Sequence, residues 1–277
     1  MMTDEVQALA ELTALQAKMA AFRPLAAAEV RALEEDVRIE HVWSSNAIEG
    51  SSLTKYETAS ILNRGMTIHG APVAEILDAM DLNRAYDYMM DLAARPQLLT
   101  ATTVRDLNRL AMRRVDNPDA GRYRAVAAWP SGFEETPYTE PFAINAAMAD
   151  LIDWSHTAQV TLHPVKYAAE LHRRFVTNHP FADGNGRTAR LLMNLALTEF
   201  GYPVINIQPD RASRDAYMAA LHLSQTTGDA APFTAIIVAN VRATLQARIA
   251  TLQLAEANRQ AAAGDSRLEA DDQGNHQ

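Results

Sequence analysis

The sequence predicts an all-α chain with one small hairpin, on three observations. Apolar residues recur at three- and four-residue steps through most of the chain. Strands alternating with crossover helices are absent, and no segment repeats at a fixed period. With 277 residues, 48% of them hydrophobic, the chain can bury a sizeable core, and its 12 prolines and 11 glycines are too few for a low-complexity class.

Each element has its own signal. Thr3 to Phe22 is rich in Ala, Leu, Gln and Lys and reads as a helix that Pro24 interrupts. Leu33 to Trp43 continues the pattern, and the polar stretch from Ser44 to Ser52, with its stop at Gly50, reads as a short segment between helices. Lys55 to Arg64, Ala74 to Ala94 and Thr103 to Arg114 are three more amphipathic helices. Between Asp116 and Phe142 the composition turns to Gly, Pro, Tyr, Trp and Thr. β-formers from Tyr123 to Trp129 and turn residues at Pro130-Ser131-Gly132 and Thr136-Pro137 give a loop with a small hairpin. Helices follow at Ala146 to Ser155, Lys166 to Val176, Thr188 to Phe200, Arg211 to Ser224 and Phe233 to Leu254. The polar tail after Glu256 reads as disordered.

Charge and composition exclude several functions. Lys and Arg total 25 against 34 for Asp and Glu, so nothing supplies the broad basic surface that nucleic acid needs. The chain has no cysteine, which removes disulfides, thiolate metal sites and cysteine nucleophiles. Its acidic first residues lack the pattern of an export signal, and no apolar run is long enough for a bilayer, so no membrane role and a cytoplasmic location are expected.

The informative run is His179-Pro180-Phe181-Ala182-Asp183-Gly184-Asn185-Gly186-Arg187-Thr188-Ala189-Arg190. Gly184, Asn185 and Gly186 at the start of a helix let backbone N–H groups converge on an anion, with the helix dipole behind them. Arg187 and Arg190 share a helix face three residues apart, where two guanidinium forks could clamp further phosphates. A triphosphate suits that set. Asp183 offers a hard oxygen for Mg²⁺ or, in the plainer reading, an N-cap for the helix. His179 could take a proton from an attacking hydroxyl, and Phe181 would anchor the loop in the core.

This run resembles the signature of Fic-domain proteins at every defining position. The flanks are similar too, at His172 to Phe175, Leu191 to Asn194, Gly201-Tyr202-Pro203, Gly228-Asp229 and Pro232-Phe233, so the resemblance covers roughly residues 74–241. It implies a Fic-like helical core in which a hairpin flap aligns a target segment by strand addition. It implies His179 as the base, Asp183 on Mg²⁺, Asn185 and the amides of Gly184 and Gly186 on the phosphates, and Arg187 and Arg190 on the β- and γ-phosphates. The implied reaction is transfer of AMP from ATP to a Ser, Thr or Tyr hydroxyl of a target protein, this chain itself included. Two positions depart from the pattern: Pro137 alone represents the tandem prolines of the flap, and Asn178 stands where an apolar residue is usual.

Ser45-Asn46-Ala47-Ile48-Glu49-Gly50 resembles the family's inhibitory motif, which implies a carboxylate at Glu49 pairing with Arg190 and displacing the γ-phosphate. The same Glu49 could instead orient water for removal of AMP, making the chain a hydrolase. A non-catalytic helical adaptor for nucleotide or peptide is the third alternative. Transfer of phosphate, phosphocholine or UMP, and homo-oligomer formation through the first helix, stay open. The expected organisation is amino-terminal helices with the inhibitory segment over 1–73, a catalytic core over 74–254 and a disordered tail over 255–277.

Overall fold

The computed structural model describes residues 2–22, 27–113, 117–129 and 138–274. Its elements are α1 (Met2–Ala20), α2 (Ala27–Ile48), α3 (Lys55–Arg64), α4 (Val73–Ala93), α5 (Ala101–Ala111), a single 3₁₀ turn at Pro141–Ala143, α6 (Ile144–Thr161), α7 (Pro164–Asn178), α8 (Asn185–Glu199), α9 (Arg211–Thr227) and α10 (Ala231–Gly274). The all-α reading holds.

α7 and α8 pack on each other at the centre, and their neighbours cover them: α4 and α5 against α8, α6 and α10 against α7, and α2 across α4 and α8. From Asn185 to Leu197 every residue of α8 except Gly186 is buried. That is why this helix reads as apolar on most of its circumference rather than along one stripe. Phe175, Phe181, Tyr217 and Phe233 fill the space around it, all fully buried. α1 lies on α10, which gives the amino-terminal helix a packing role.

Local signals set the ends of the elements that carry the site. Thr54 caps α3 in a reciprocal capping box with Glu57, and Gly65 closes the helix in the left-handed region. The turn before it is pinned by Glu75, which accepts hydrogen bonds from the hydroxyls of Ser51 and Ser52. α7 opens on Pro164 with the His163 ring accepting from the Val165 N–H.

Several expectations are revised. α2 runs on to Ile48, so Ser45 lies in its last turn rather than in a loop, because burial against the core outweighs the weak helix propensity of Ser and Asn. α8 starts at Asn185, three residues before the predicted start, with Gly184 as its cap. The hairpin is not found among the described residues: Tyr123 makes one antiparallel bridge to Phe181 and the rest of 124–129 is irregular, while residues 130–137 lie outside those described. α10 reaches Gly274, past residue 255 where disorder was expected, through a segment of Ala, Glu, Gln and Arg with high helix propensity. Among the described residues, no helix is long and apolar enough to cross a membrane.

Candidate active site

The 179–184 loop is tied from within and from α5. Asn185 donates to the Phe181 carbonyl at 2.8 Å and accepts from the Phe181 N–H at 3.0 Å, so both ends of its amide are engaged. Buried Asn108 of α5 donates to the Asp183 carbonyl at 3.0 Å and accepts from the Gly121 N–H at 2.9 Å. A Cβ on Gly184 would stand 2.5 Å from the Met112 side chain, and its φ of 78° favours glycine independently. The first intrahelical bond of α8 runs from the Thr188 N–H to the Gly184 carbonyl. The N–H groups of residues 185–187 precede it and form the expected anion cradle.

His179 ends α7 in the left-handed conformation, φ 43° and ψ 56°, and is the sole non-glycine residue with positive φ among those described. Holding a β-carbon there costs about 1 kcal/mol. The ring lies flat against Tyr138, with centroids 3.9 Å apart and planes 9° from parallel. Burial, followed by the charge of Arg124, pulls its pKa down to about 4, against smaller upward effects from the Val176 carbonyl, Glu49 and Asp183. The imidazole is therefore neutral at physiological pH.

The two arginines of α8 are held very differently. Arg190 donates to the Glu49 carboxylate at 2.7 Å, to the Ser45 hydroxyl at 2.8 Å and to the Ser45 carbonyl at 2.9 Å. Arg187 has only long contacts, to Asp78 at 3.5 Å and to Asp183 and Asn46 at 3.4 Å. Arg187 Nε and Arg190 Nη1 are buried and meet no acceptor of good geometry. Two cationic forks with spare buried donors, beside a helix N-terminus, have the chemistry to hold an anion.

Glu49 sits on the cradle itself. A Cβ at Gly186 would lie 2.2 Å from its Oε1, so the carboxylate rests on the first turn of α8. Burial raises its pKa, but the pairing with Arg190, aided by Arg187 and Arg214, outweighs that and holds it below the usual range. A third of its side-chain surface opens into the cleft. Arg214 of α9 donates to the Ile48 carbonyl at 2.8 Å, placing a cation at the carboxyl end of α2.

The cleft has a volume of about 840 Å³ and is lined by Glu49, Tyr138, His179, Gly186, Arg190 and Tyr217, with Trp129 and Met218 further out. Tyr217 is both core and wall: fully buried, it donates or accepts at 2.9 Å with His172 beneath it. Asp183 does not cap α8 with its side chain in the usual way; its Oδ1 accepts from the neighbouring Gly184 N–H at 2.6 Å, and the side chain is 60% exposed.

The structure thus brings together His179, Asp183, Gly184, Asn185, Gly186, Arg187, Arg190, Ser45 and Glu49. Asn185 differs from expectation in that its side chain shapes the loop, leaving its backbone N–H for an anion. Sequence reasoning missed Asn108, Arg124 and Arg214. Each acts on a distant backbone carbonyl or N–H, and nothing in a local motif signals such a contact.

Residues 98–197 match the Fic/DOC family. The protein adenylyltransferase Fic of Aedes aegypti is 32% identical over 206 residues, covering 74% of this chain and 40% of that protein. Fic-1 of Caenorhabditis elegans is 28% identical, covering 86% and 46%. The chain therefore spans less than half the length of these curated relatives. Among solved structures, a Fic-domain signalling protein from Bacteroides thetaiotaomicron superposes with a TM-score of 0.80 at 28% identity, over 87% of this chain and 97% of that one. The Caenorhabditis elegans Fic-1 structure gives 0.80 at 26% identity, over 91% and 74%. With its helical fold in common with these structures and residues 98–197 matched by the family model, the chain carries a domain of the Fic/DOC family.

Proposed function

We propose that this protein transfers AMP from ATP to a Ser, Thr or Tyr hydroxyl of a target protein, and that Glu49 restrains the reaction. The observation that carries the reading is the placing, at one cleft, of a neutral His179 beside two buried arginines that each keep one unpaired nitrogen, Nε of Arg187 and Nη1 of Arg190. Curated relatives bearing the name protein adenylyltransferase support the choice of nucleotide and acceptor.

In the proposed reaction the acceptor oxygen attacks the α-phosphorus, the bond from that phosphorus to the β-bridging oxygen breaks, and pyrophosphate leaves. The acceptor proton passes to the His179 ring. The N–H groups of residues 185–187 and the forks of Arg187 and Arg190 neutralise charge on the phosphates. Mg²⁺ fits this donor set: Asp183 is largely exposed at the cradle, and no cluster of three or more candidate ligands is assembled among the described residues. Asp183 would hold a cation that arrives with the nucleotide, and the cation would supply neutralisation of phosphate charge. A cytoplasmic location is in keeping with a chain free of cysteine.

Glu49 occupies the guanidinium that a γ-phosphate needs and overlies Gly186, so nucleotide and carboxylate compete for one place. Because the carboxylate faces the cleft, the reverse reading has a specific basis as well: Glu49 orients water for hydrolysis of an AMP-protein bond.

The test is incubation of wild type, Glu49→Gly and Glu49→Gly/His179→Ala with Mg²⁺ and ATP labelled at the α-phosphate, with cell lysate present. Strong labelling by the single variant, weak labelling by wild type and a loss of about 10² to 10⁴ with the His179 change are expected. No labelling by any of them overturns the transferase reading, and Glu49-dependent release of AMP from a modified protein replaces it.

A further inference from the structure

Arg124 joins three pieces of chain that the proposed reaction needs in register. It is 6% exposed, in an irregular segment with no helix or strand to bury it. Its Nε donates to the His179 carbonyl at 2.7 Å, Nη1 to the Val126 carbonyl at 2.8 Å and Nη2 to the Thr139 carbonyl at 2.5 Å. Its own N–H donates to the Pro180 carbonyl at 2.8 Å. The fork is thus filled by neutral carbonyls and not by a carboxylate, so the charge is retained inside while its hydrogen-bonding capacity is met.

The positions of these acceptors matter. Val126 and Thr139 stand on either side of residues 127–138, the stretch that ends on Tyr138 against the His179 ring. His179 holds a left-handed backbone, and its carbonyl is one of the three acceptors. The Thr139 N–H donates to the Thr177 carbonyl and the Thr139 hydroxyl to Asn178, which ties the same foot of the segment to the last turn of α7.

We propose that Arg124 is a positioning residue: by binding the carbonyls of His179, Val126 and Thr139 at once, it fixes the angle at which the imidazole and Tyr138 face the cleft. The inference rests on His179 being the base of the proposed transfer. The groups that face the ring are Arg124, Glu49, Asp183 and Tyr138, and Arg124 acts on it by orientation and by charge together.

Two substitutions separate those contributions. Arg124→Lys keeps the charge but cannot span three carbonyls, and Arg124→Gln loses the charge as well. Both are made in the Glu49→Gly protein and assayed for kcat and for the KM of ATP. NMR titration of the His179 ring is done without nucleotide. Expected are a fall in kcat of about tenfold to a hundredfold in both, with the KM of ATP changed by about twofold or less, because a misaimed base loses rate without losing phosphate contacts. The ring pKa rises in Arg124→Gln and moves less in Arg124→Lys. Unchanged kcat in folded Arg124→Lys overturns the proposal, as does a KM effect that equals the kcat effect. If Glu49→Gly itself transfers nothing, the parent reading has failed, and the titration still decides this one: an unmoved His179 signal in both variants overturns it. Should Arg124→Gln not fold, Arg124→Lys alone carries the decision.

Discussion

Two parts of the chain hold the run from His179 to Arg190, the end of α2 at Arg190 and Arg124 at His179, and they hold it with different chemistry. The end of α2 lays a carboxylate and a hydroxyl on Arg190, which on the proposed reading an anion can replace, together with the Ser45 carbonyl. Arg124 reaches the run through backbone carbonyls that nothing in solution can take over without unravelling the chain. The first grip is exchangeable and the second is structural. A contact meant to be released is best made with a charged pair at the mouth of a cleft, where solvent and ligand compete on equal terms. A contact meant to persist is best buried and saturated.

The largest expected effect bears on what the two grips share. His41 of α2, His172 beneath Tyr217 and His179 are all kept neutral chiefly by burial, with pKa values pulled from 6.5 down to about 4, about 3 and about 4. The unfolded chain then binds more protons than the folded one below pH 6.5, so stability is full above that value and falls as the pH drops toward 4. Between about pH 7 and about pH 5 the loss should be on the order of a few kcal/mol, read as a fall in midpoint by denaturant unfolding at each pH. A flat profile would show that none of the three histidines has its pKa lowered by burial in the native state.

The next effect separates the grips. Glu49→Gly should tighten ATP binding by about five- to 150-fold in calorimetry, the ordinary range for coupling between competing sites. An unchanged affinity would mean that Glu49 and the γ-phosphate do not compete for Arg190. The smallest effect refines the same point. Ser45→Ala removes one acceptor from Arg190 while Glu49 stays, and should weaken the docking of α2 by about 1 kcal/mol, raising ATP affinity about fivefold or less. A larger change than that of Glu49→Gly would transfer the brake from the carboxylate to the hydroxyl.

The sequence made the helices and the loop legible for separate reasons. Core-facing residues at helical spacing, Leu, Ile and Met in α4, Val and Leu in α5 and Val, Leu and aromatic residues in α7, declare these helices without help from tertiary structure. The loop declares itself because an anion cradle needs Gly184 and Gly186 where they stand, and those residue types rarely coincide with His and two Arg by accident. What stayed hidden depends on distant packing. The last turn of α2 is made of Ser44, Ser45 and Asn46, which locally favour a loop and become helical because they are buried beside Arg190. The segment from Tyr123 to Trp129 has strand-forming residues but finds one bridge and no ladder, since its neighbour is the loop at Phe181 and not another strand. Arg124 stands in that segment with no pattern around it, and only the carbonyls of remote residues give it meaning.

The seat of Glu49 on Gly186 has a consequence for how the protein would respond to its surroundings. Two occupants of one place displace each other with equal force, so a nucleotide that must evict the carboxylate also loosens the helix that carries it. On the proposed reading, the amides in the last turn of α2 should exchange with solvent faster as ATP is raised, and the restraint then doubles as a gauge of nucleotide concentration.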